Sequence, residues 1–153
     1  MIQNKPTDEL TAVLNRTAPG GLEDYLRDNA PELAEGDRPF AAYVRALFRE
    51  KGMRQQQVFL RADISEGYGY KLVGEEKHTH RRDVILRLCL GGRFTLTETQ
   101  RALKLYGMAP LYAKVPRDAA LIVALNTRMW EPEQVNDLLA QHGFAPLEPC
   151  SPD

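Results

Sequence analysis

The chain has 153 residues, of which 43% are hydrophobic and 27% charged, which suffices for one compact core with appended helices and excludes two large domains. No apolar run approaches the length of a membrane span, and the N-terminus has neither the basic start nor the apolar stretch of a secretory signal. We therefore expect a cytoplasmic protein that does not enter a membrane. Two cysteines without a CxxC spacing argue against a disulfide framework or a thiolate zinc site.

The charged residues divide the chain into three segments of different sign. Residues 1–37 carry a net charge of −5, residues 38–108 carry +7 and residues 109–153 carry −3, which together give the overall −1. A basic middle segment is typical of a protein that binds a polyanion such as nucleic acid. The alternative is that these are ordinary solvated faces of unlike charge.

The first segment has the pattern of short helices. Thr7 has the chemistry of a helix N-cap, and Leu10, Val13 and Leu14 then fall on one face. A second short amphipathic helix follows a Pro-Gly-Gly break. Residues 1–37 are therefore predicted to be an N-terminal helical appendage.

Five helices are predicted in the basic middle segment, because apolar residues recur there at helical spacing between cap residues. The second and third are short, and Ser65 in the turn between them is placed to cap the third. Two short helices separated by about three residues have the signature of a helix-turn-helix. The predicted helices begin at Pro39, Arg54, Glu66 and Arg82 and after Thr95, and the last of them ends near Tyr106.

Two further helices are predicted in the last segment. The run Ala119–Leu125 is apolar all round, which indicates a buried helix that starts near Pro116. The final helix runs from Pro132 to Gly143. Residues 109–153 are thus predicted to be a C-terminal helical extension that packs on the core, with a disordered tail from about residue 146. No stretch requires a strand, so the predicted fold is all-α.

The segment from Met53 to Gly74 resembles helices two and three of the XRE (lambda-repressor/Cro-like) family of helix-turn-helix regulators. In that family a glutamine such as Gln55 opens helix two, and an Ile-Ser pair such as Ile64-Ser65 ends the turn. Glu98–Leu103, Pro110–Tyr112 and Arg117–Asn126 are similar to motifs that recur in small regulators from low-GC bacteria. The resemblance implies a five-helix lambda-repressor-like domain over residues 38–108, of bacterial or phage type.

The same resemblance implies that helix three enters the major groove of DNA while the start of helix two contacts phosphate. Glu66, Gly67, Tyr70 and Lys71 would then face the groove, with Tyr68 turned into the core. Gln55 would contact phosphate, and residues of the flanks would position the protein. The candidate DNA-binding residues are Gln55, Gln56, Ser65, Glu66, Gly67, Tyr70, Lys71, Lys77, Arg81 and Arg82.

The expected function is that of a sequence-specific, double-stranded-DNA-binding transcriptional regulator of the repressor kind, with a homodimer through the terminal helices as a further expectation. Lys71 and Tyr70 favour DNA binding. Glu66 and the helix-weakening Gly67 and Gly69 favour the alternative, which is a protein-interaction module or a phage or mobile-element inhibitor that keeps the fold as a scaffold. Asp63 stands in the turn where the family usually has glycine or another residue that tolerates a positive φ.

The sequence contains few residues that could form a catalytic or metal-binding site. His78 and His80 lie in a polar loop, whereas a metal site needs three or four converging ligands. Ser65 and Ser151 are the only serines, and neither a P-loop nor a GxSxG motif occurs. The chain is therefore predicted not to be an enzyme and to need no cofactor or metal.

Overall fold

The chain divides into two units, residues 1–37 and 38–153, and the computed structural model describes residues 38–150. The described part contains only α-helices and no strand, which confirms the all-α prediction for that range. No helix between residues 38 and 150 is long and apolar enough to cross a membrane. The predicted N-terminal helical appendage, residues 1–37, lies outside the described residues.

Seven helices follow one another along the described chain. They are α1 Pro39–Glu50, α2 Gln55–Ala62, α3 Glu66–Val73, α4 Arg82–Gly91, α5 Leu96–Leu105, α6 Pro116–Asn126 and α7 Pro132–Gln141. Their order and positions agree closely with the seven helices expected for this part of the chain.

Local chemistry accounts for several helix ends. Thr95 Oγ1 accepts the N–H of Glu98 at 3.2 Å, and the Glu98 carboxylate accepts the N–H of Thr95 at 2.9 Å, so the expected capping box opens α5. The N-terminal turn of α1 has no cap from its own N-cap residue. Instead the N–H of Ala41 donates to the Glu75 carboxylate, 3.3 Å away, in the loop after α3. Gly52, with φ +69°, ends α1 as predicted.

Helix α4 lies at the centre of the core, since nine of its ten residues are buried. It packs against α2 on one side and α5 on the other. Gly91 is required where α4 meets α2, because a Cβ there would lie 2.4 Å from the carbonyl oxygen of Val58. The helix therefore ties the α2–α3 pair to the rest of the molecule.

Helix α6 begins at the expected Pro116, and one of its faces is buried as predicted. Leu121, Ala124 and Leu125 are buried, whereas the Val123 side chain is 54% exposed. Helices α5 and α7 both contact α6, and among residues 38–150 no helix covers the face that carries Val123. The apolar run thus predicts the position of the helix correctly, but it does not determine which of its side chains are exposed.

Residues 146–150 also differ from the expected disordered tail. The Leu147 side chain is buried, and its N–H donates to Asn136 Oδ1 at 2.8 Å. The carbonyls of Leu147 and Glu148 accept from the Arg87 guanidinium at 3.2 and 2.8 Å. These residues are held because a side chain some 60 positions earlier satisfies their backbone, a pairing that no local pattern shows.

Candidate nucleic-acid interface

The connection between α2 and α3 is a tight turn of three residues, 63–65. Asp63 adopts the left-handed conformation, with φ 58° and ψ 47°. At this position the family that the sequence resembles usually has a residue that tolerates a positive φ. Asp is among the few non-glycine residues that adopt this conformation readily. The Ile64 side chain is buried, and its N–H donates to the carbonyl of Phe59 at 2.9 Å, so the turn is anchored in the core.

Ser65 occupies the N-cap position of α3 as predicted, with extended backbone angles. Its hydroxyl makes no capping hydrogen bond, which differs from the expected role. The backbone carbonyl of Ser65 accepts the N–H of Gly69 at 2.8 Å. The serine side chain itself is exposed beside the first turn of α3.

The two glycines of α3 differ in how much space surrounds them. A Cβ on Gly69 would lie 2.6 Å from the ring of Phe59, so only glycine lets α3 approach α2 this closely. A Cβ on Gly67 would meet nothing within 4 Å. Gly69 is therefore explained by packing, while Gly67 lies on the open side of the helix.

The outward side of α3 consists of residues that were predicted to face a groove. Glu66, Gly67, Tyr70 and Lys71 are all exposed, and Tyr70 lies edge-on against the Phe59 ring at a centroid distance of 5.0 Å. Tyr68 on the other side is buried, so the expected orientation of the two tyrosines is confirmed.

Gln56 joins this surface from α2, because its Nε2 donates to Glu66 Oε2 at 3.5 Å. Gln55, the first residue of α2, is half-buried, and its Oε1 has no hydrogen-bond partner within the described part of the chain. We call Gln56, Glu66, Gly67, Tyr70 and Lys71 the α2–α3 face. It presents amide, carboxylate, phenol and ammonium groups on two short helices that pack against each other.

Several cations on and beside the α2–α3 face have no acidic partner within residues 38–150. Lys71 and Lys77 are exposed and form no ion pair there. Arg54 precedes α2 and Arg61 lies in its last turn, and both are exposed. Among residues 38–150 the Arg61 guanidinium donates only to the thioether sulfur of Met53, at 3.5 Å. These two arginines were not among the predicted DNA-binding residues, although their outward helical positions could have indicated them.

Arg81 and Arg82, by contrast, lie against acidic side chains of the C-terminal extension. Two guanidinium nitrogens of Arg82 donate to the carboxylate of Asp118, which is buried. Arg81 Nε lies 3.6 Å from Glu148 Oε2. Because a departing Arg82 would leave a buried carboxylate unpaired, this arginine contributes to the fold, and its expected DNA contact stays a prediction.

A second ion pair of the same kind lies next to the first. Asp83 accepts from Arg117 Nη1 and Nη2 at 3.1 and 2.9 Å, and from the N–H of Glu148 at 3.0 Å. The two Arg-Asp dipeptides, 82–83 at the start of α4 and 117–118 near the start of α6, thus exchange partners. We call this group the polar clamp, and it consists of Arg82, Asp83, Arg87, Arg117 and Asp118.

The remaining candidates for chemistry are poorly placed to react. Burial raises the pKa of the Cys89 thiol to about 12 and that of the Cys150 thiol to about 11, so both are protonated at neutral pH. His78 is exposed and stacks on Tyr106 at a ring distance of 4.4 Å. Within residues 38–150, no three His, Cys, Asp or Glu side chains converge to hold a metal ion.

Comparisons with known proteins identify no matching family model, no similar curated protein and no similar solved structure.

Proposed function

We propose that this chain is a sequence-specific double-stranded-DNA-binding regulator of the XRE helix-turn-helix type, with α3 docked in the major groove. The observation that carries the proposal is the α2–α3 face. Its polar and cationic groups point outward from two eight-residue helices joined by a three-residue turn, while the other sides of both helices are packed in the core. This is the arrangement that a groove-reading helix requires.

The distribution of cations supports the same conclusion. Lys71, Lys77, Arg54 and Arg61 remain unpaired by carboxylates of residues 38–150. Four arginines farther along the chain, by contrast, form ion pairs: Arg81, Arg82, Arg93 and Arg117. Phosphate contacts come from such exposed cations and from amides such as that of Gln55. The duplex would therefore lie along α2 and α3 and not along the start of α4.

A salt titration tests DNA binding directly. The full chain is titrated onto the duplex that precedes its own coding sequence, at several salt concentrations. The logarithm of the association constant should fall by about 0.9 for each phosphate contact per unit of log salt, so a slope of several units is expected. A flat response would contradict the proposal.

Lys71→Ala makes the test residue-specific. It should cost about 1–3 kcal/mol of specific affinity without changing the melting temperature, because Lys71 is exposed and unpaired within the described chain. Gln55→Ala should weaken binding more evenly across sequences. Lys104→Ala, which removes an exposed lysine of α5, is the matched control. A folded Lys71→Ala, Gln55→Ala double variant that binds as the parent does would reject the proposal.

A protein partner is the second candidate, and the exposure of Leu60 favours it. This leucine of α2 is 82% exposed, and DNA phosphates offer no partner for an aliphatic side chain. A protein partner docked on α2 would cover this side chain, since the buried cores of interfaces are apolar. A folded chain that binds no duplex at low salt would favour this candidate, whereas unchanged DNA affinity in Leu60→Gln would leave the DNA proposal intact.

The open side of α6 supports a homodimer, which suits operators with two half-sites. Val123 is exposed there, and Tyr112 and Val115, in the segment that precedes α6, are exposed as well. Val123→Asp should shift the sedimentation coefficient from dimer to monomer and leave the fold intact. Leu121→Asp on the buried side should instead unfold the chain, since it would bury an unpaired charge. A parent chain that sediments as a monomer, both free and on DNA, would exclude this arrangement.

A further inference from the structure

The hydrogen bond between Gln56 and Glu66 joins an amide donor and a carboxylate acceptor on the exposed surface. Gln56 is the second residue of α2 and Glu66 the first residue of α3. The amide nitrogen of Gln56 carries two hydrogens, and Glu66 takes one of them. One further amide hydrogen and the second carboxylate oxygen are left for a ligand.

We infer that the Gln56–Glu66 pair selects one C·G base pair, an inference that rests on the proposed DNA-binding function. Near the middle of its major-groove edge, a C·G pair presents the cytosine N4 amine as donor beside the guanine O6 acceptor. The free carboxylate oxygen of Glu66 accepts from cytosine N4. The free amide hydrogen of Gln56 is donated to guanine.

The atoms that flank this central pair of groups distinguish C·G from A·T. An A·T pair also offers a donor beside an acceptor, adenine N6 and thymine O4, but adenine N7 lies next to the donor. That second acceptor would face the Glu66 carboxylate and repel it. Cytosine has no acceptor in this position. Guanine N7 lies on the side of the Gln56 amide, which donates hydrogen bonds and is therefore compatible with a second acceptor.

The negative charge of Glu66 makes the selection strict. An ionised carboxylate only accepts hydrogen bonds, and in the groove it lies close to phosphates of its own sign. A base edge without an amine at this position would leave the charge desolvated and unpaired, which disfavours the wrong site strongly. The charge of Glu66 was an argument against DNA binding in general. At a C·G pair the same charge makes Glu66 the residue that sets the specificity of DNA binding.

The experiment is a selection from randomised duplex DNA with the parent, Glu66→Gln and Glu76→Gln. Glu76 is an exposed carboxylate of the loop after α3, so its variant makes the same change of charge away from the pair. The parent and Glu76→Gln should recover sites with one fixed C·G position, whose replacement weakens binding at least about fivefold. Because a glutamine both donates and accepts, Glu66→Gln should lose that preference and favour A·T there.

The outcomes separate this inference from the function on which it rests. Recovery of a defined site whose C·G position is unchanged in a folded Glu66→Gln would overturn the inference and leave DNA binding in place. Loss of the C·G preference in Glu76→Gln as well would also overturn it, because net charge alone would then be the cause. Failure of the parent to bind any duplex would overturn both.

Discussion

Cationic side chains have different surroundings in the polar clamp and on the α2–α3 face. In the clamp, Arg82 and Arg117 each lie against a carboxylate that is nearly inaccessible to water. On the α2–α3 face, Lys71 is exposed and has no such partner within the described residues. The net charge of +7 on residues 38–108 is therefore not concentrated on one surface. Some of these cations neutralise buried carboxylates and stabilise the fold, and others are exposed and can contact a ligand. Changes in the clamp should alter stability, and changes on the face should alter binding.

Removing a clamp carboxylate is expected to give the largest effect. Asp83→Ala leaves the Arg117 guanidinium without its partner and the N–H of Glu148 without its acceptor, so the free energy of unfolding should fall by about 3–5 kcal/mol. Denaturant unfolding measures it. Glu131→Ala is the control, since its ion pair with Arg93 is half exposed and should be worth less than about 1 kcal/mol. If both variants lose the same free energy of unfolding, the ion pairs of the clamp are no more stabilising than an ordinary surface pair.

Shortening the chain tests whether the last described residues belong to the clamp. A chain that ends at Pro146 loses the buried Leu147 and two acceptors of Arg87. The cost should be about 2–3 kcal/mol, mainly for the leucine side chain. A chain that ends at Cys150 keeps these contacts and should unfold like the parent. If both truncations are equally stable, the tail contributes nothing to the fold.

The clamp and the face also differ in how far the sequence predicts them. Local signals predicted α3 at Glu66–Val73 and the start of α6 at Pro116, because caps, proline and helical spacing act within one or two turns. The inward and outward orientation of Tyr68 and Tyr70 came from the family resemblance. The exchange of partners between the two Arg-Asp dipeptides was not predicted. It joins residues about 35 positions apart, and no pattern within a turn or two reveals such a pairing.

The same reasoning explains the ion pair of Arg82 and the contacts of the tail, neither of which was expected. Net charge by segment treats every arginine as available, yet a tertiary contact decides whether a guanidinium neutralises a carboxylate of the same chain. The tail after residue 145 has the proline-rich composition of a disordered end, and it is nevertheless held by Arg87. The outward position of the α3 residues of the α2–α3 face was implied by the resemblance to the XRE family, and the structure gives these residues as exposed.

Gly69→Ala should cost stability through the contact between α2 and α3. The added methyl group would lie 2.6 Å from the Phe59 ring, so one helix must shift, at about 1–3 kcal/mol. Thermal unfolding measures the loss. Phe59→Leu in the same chain should recover part of it, because a leucine side chain lacks the flat ring that the methyl group meets. A Gly69→Ala chain as stable as the parent would show that the two helices are less closely packed than described.

Gly67→Ala should have the opposite effect on stability, although it lies only two residues away in the same helix. Nothing lies within 4 Å of a Cβ at this position, and alanine is the better helix former, so the free energy of unfolding should rise by about 0.5–1 kcal/mol. The same methyl group would project from the first turn of α3, which in the proposed complex lies against the base edges. DNA affinity should therefore fall several-fold in a variant that is more stable than the parent. Unfolding and duplex titration on one protein sample measure both quantities. A gain of stability without a loss of affinity would mean that this turn does not closely approach DNA, and a loss of stability would mean that Gly67, like Gly69, is glycine for reasons of packing.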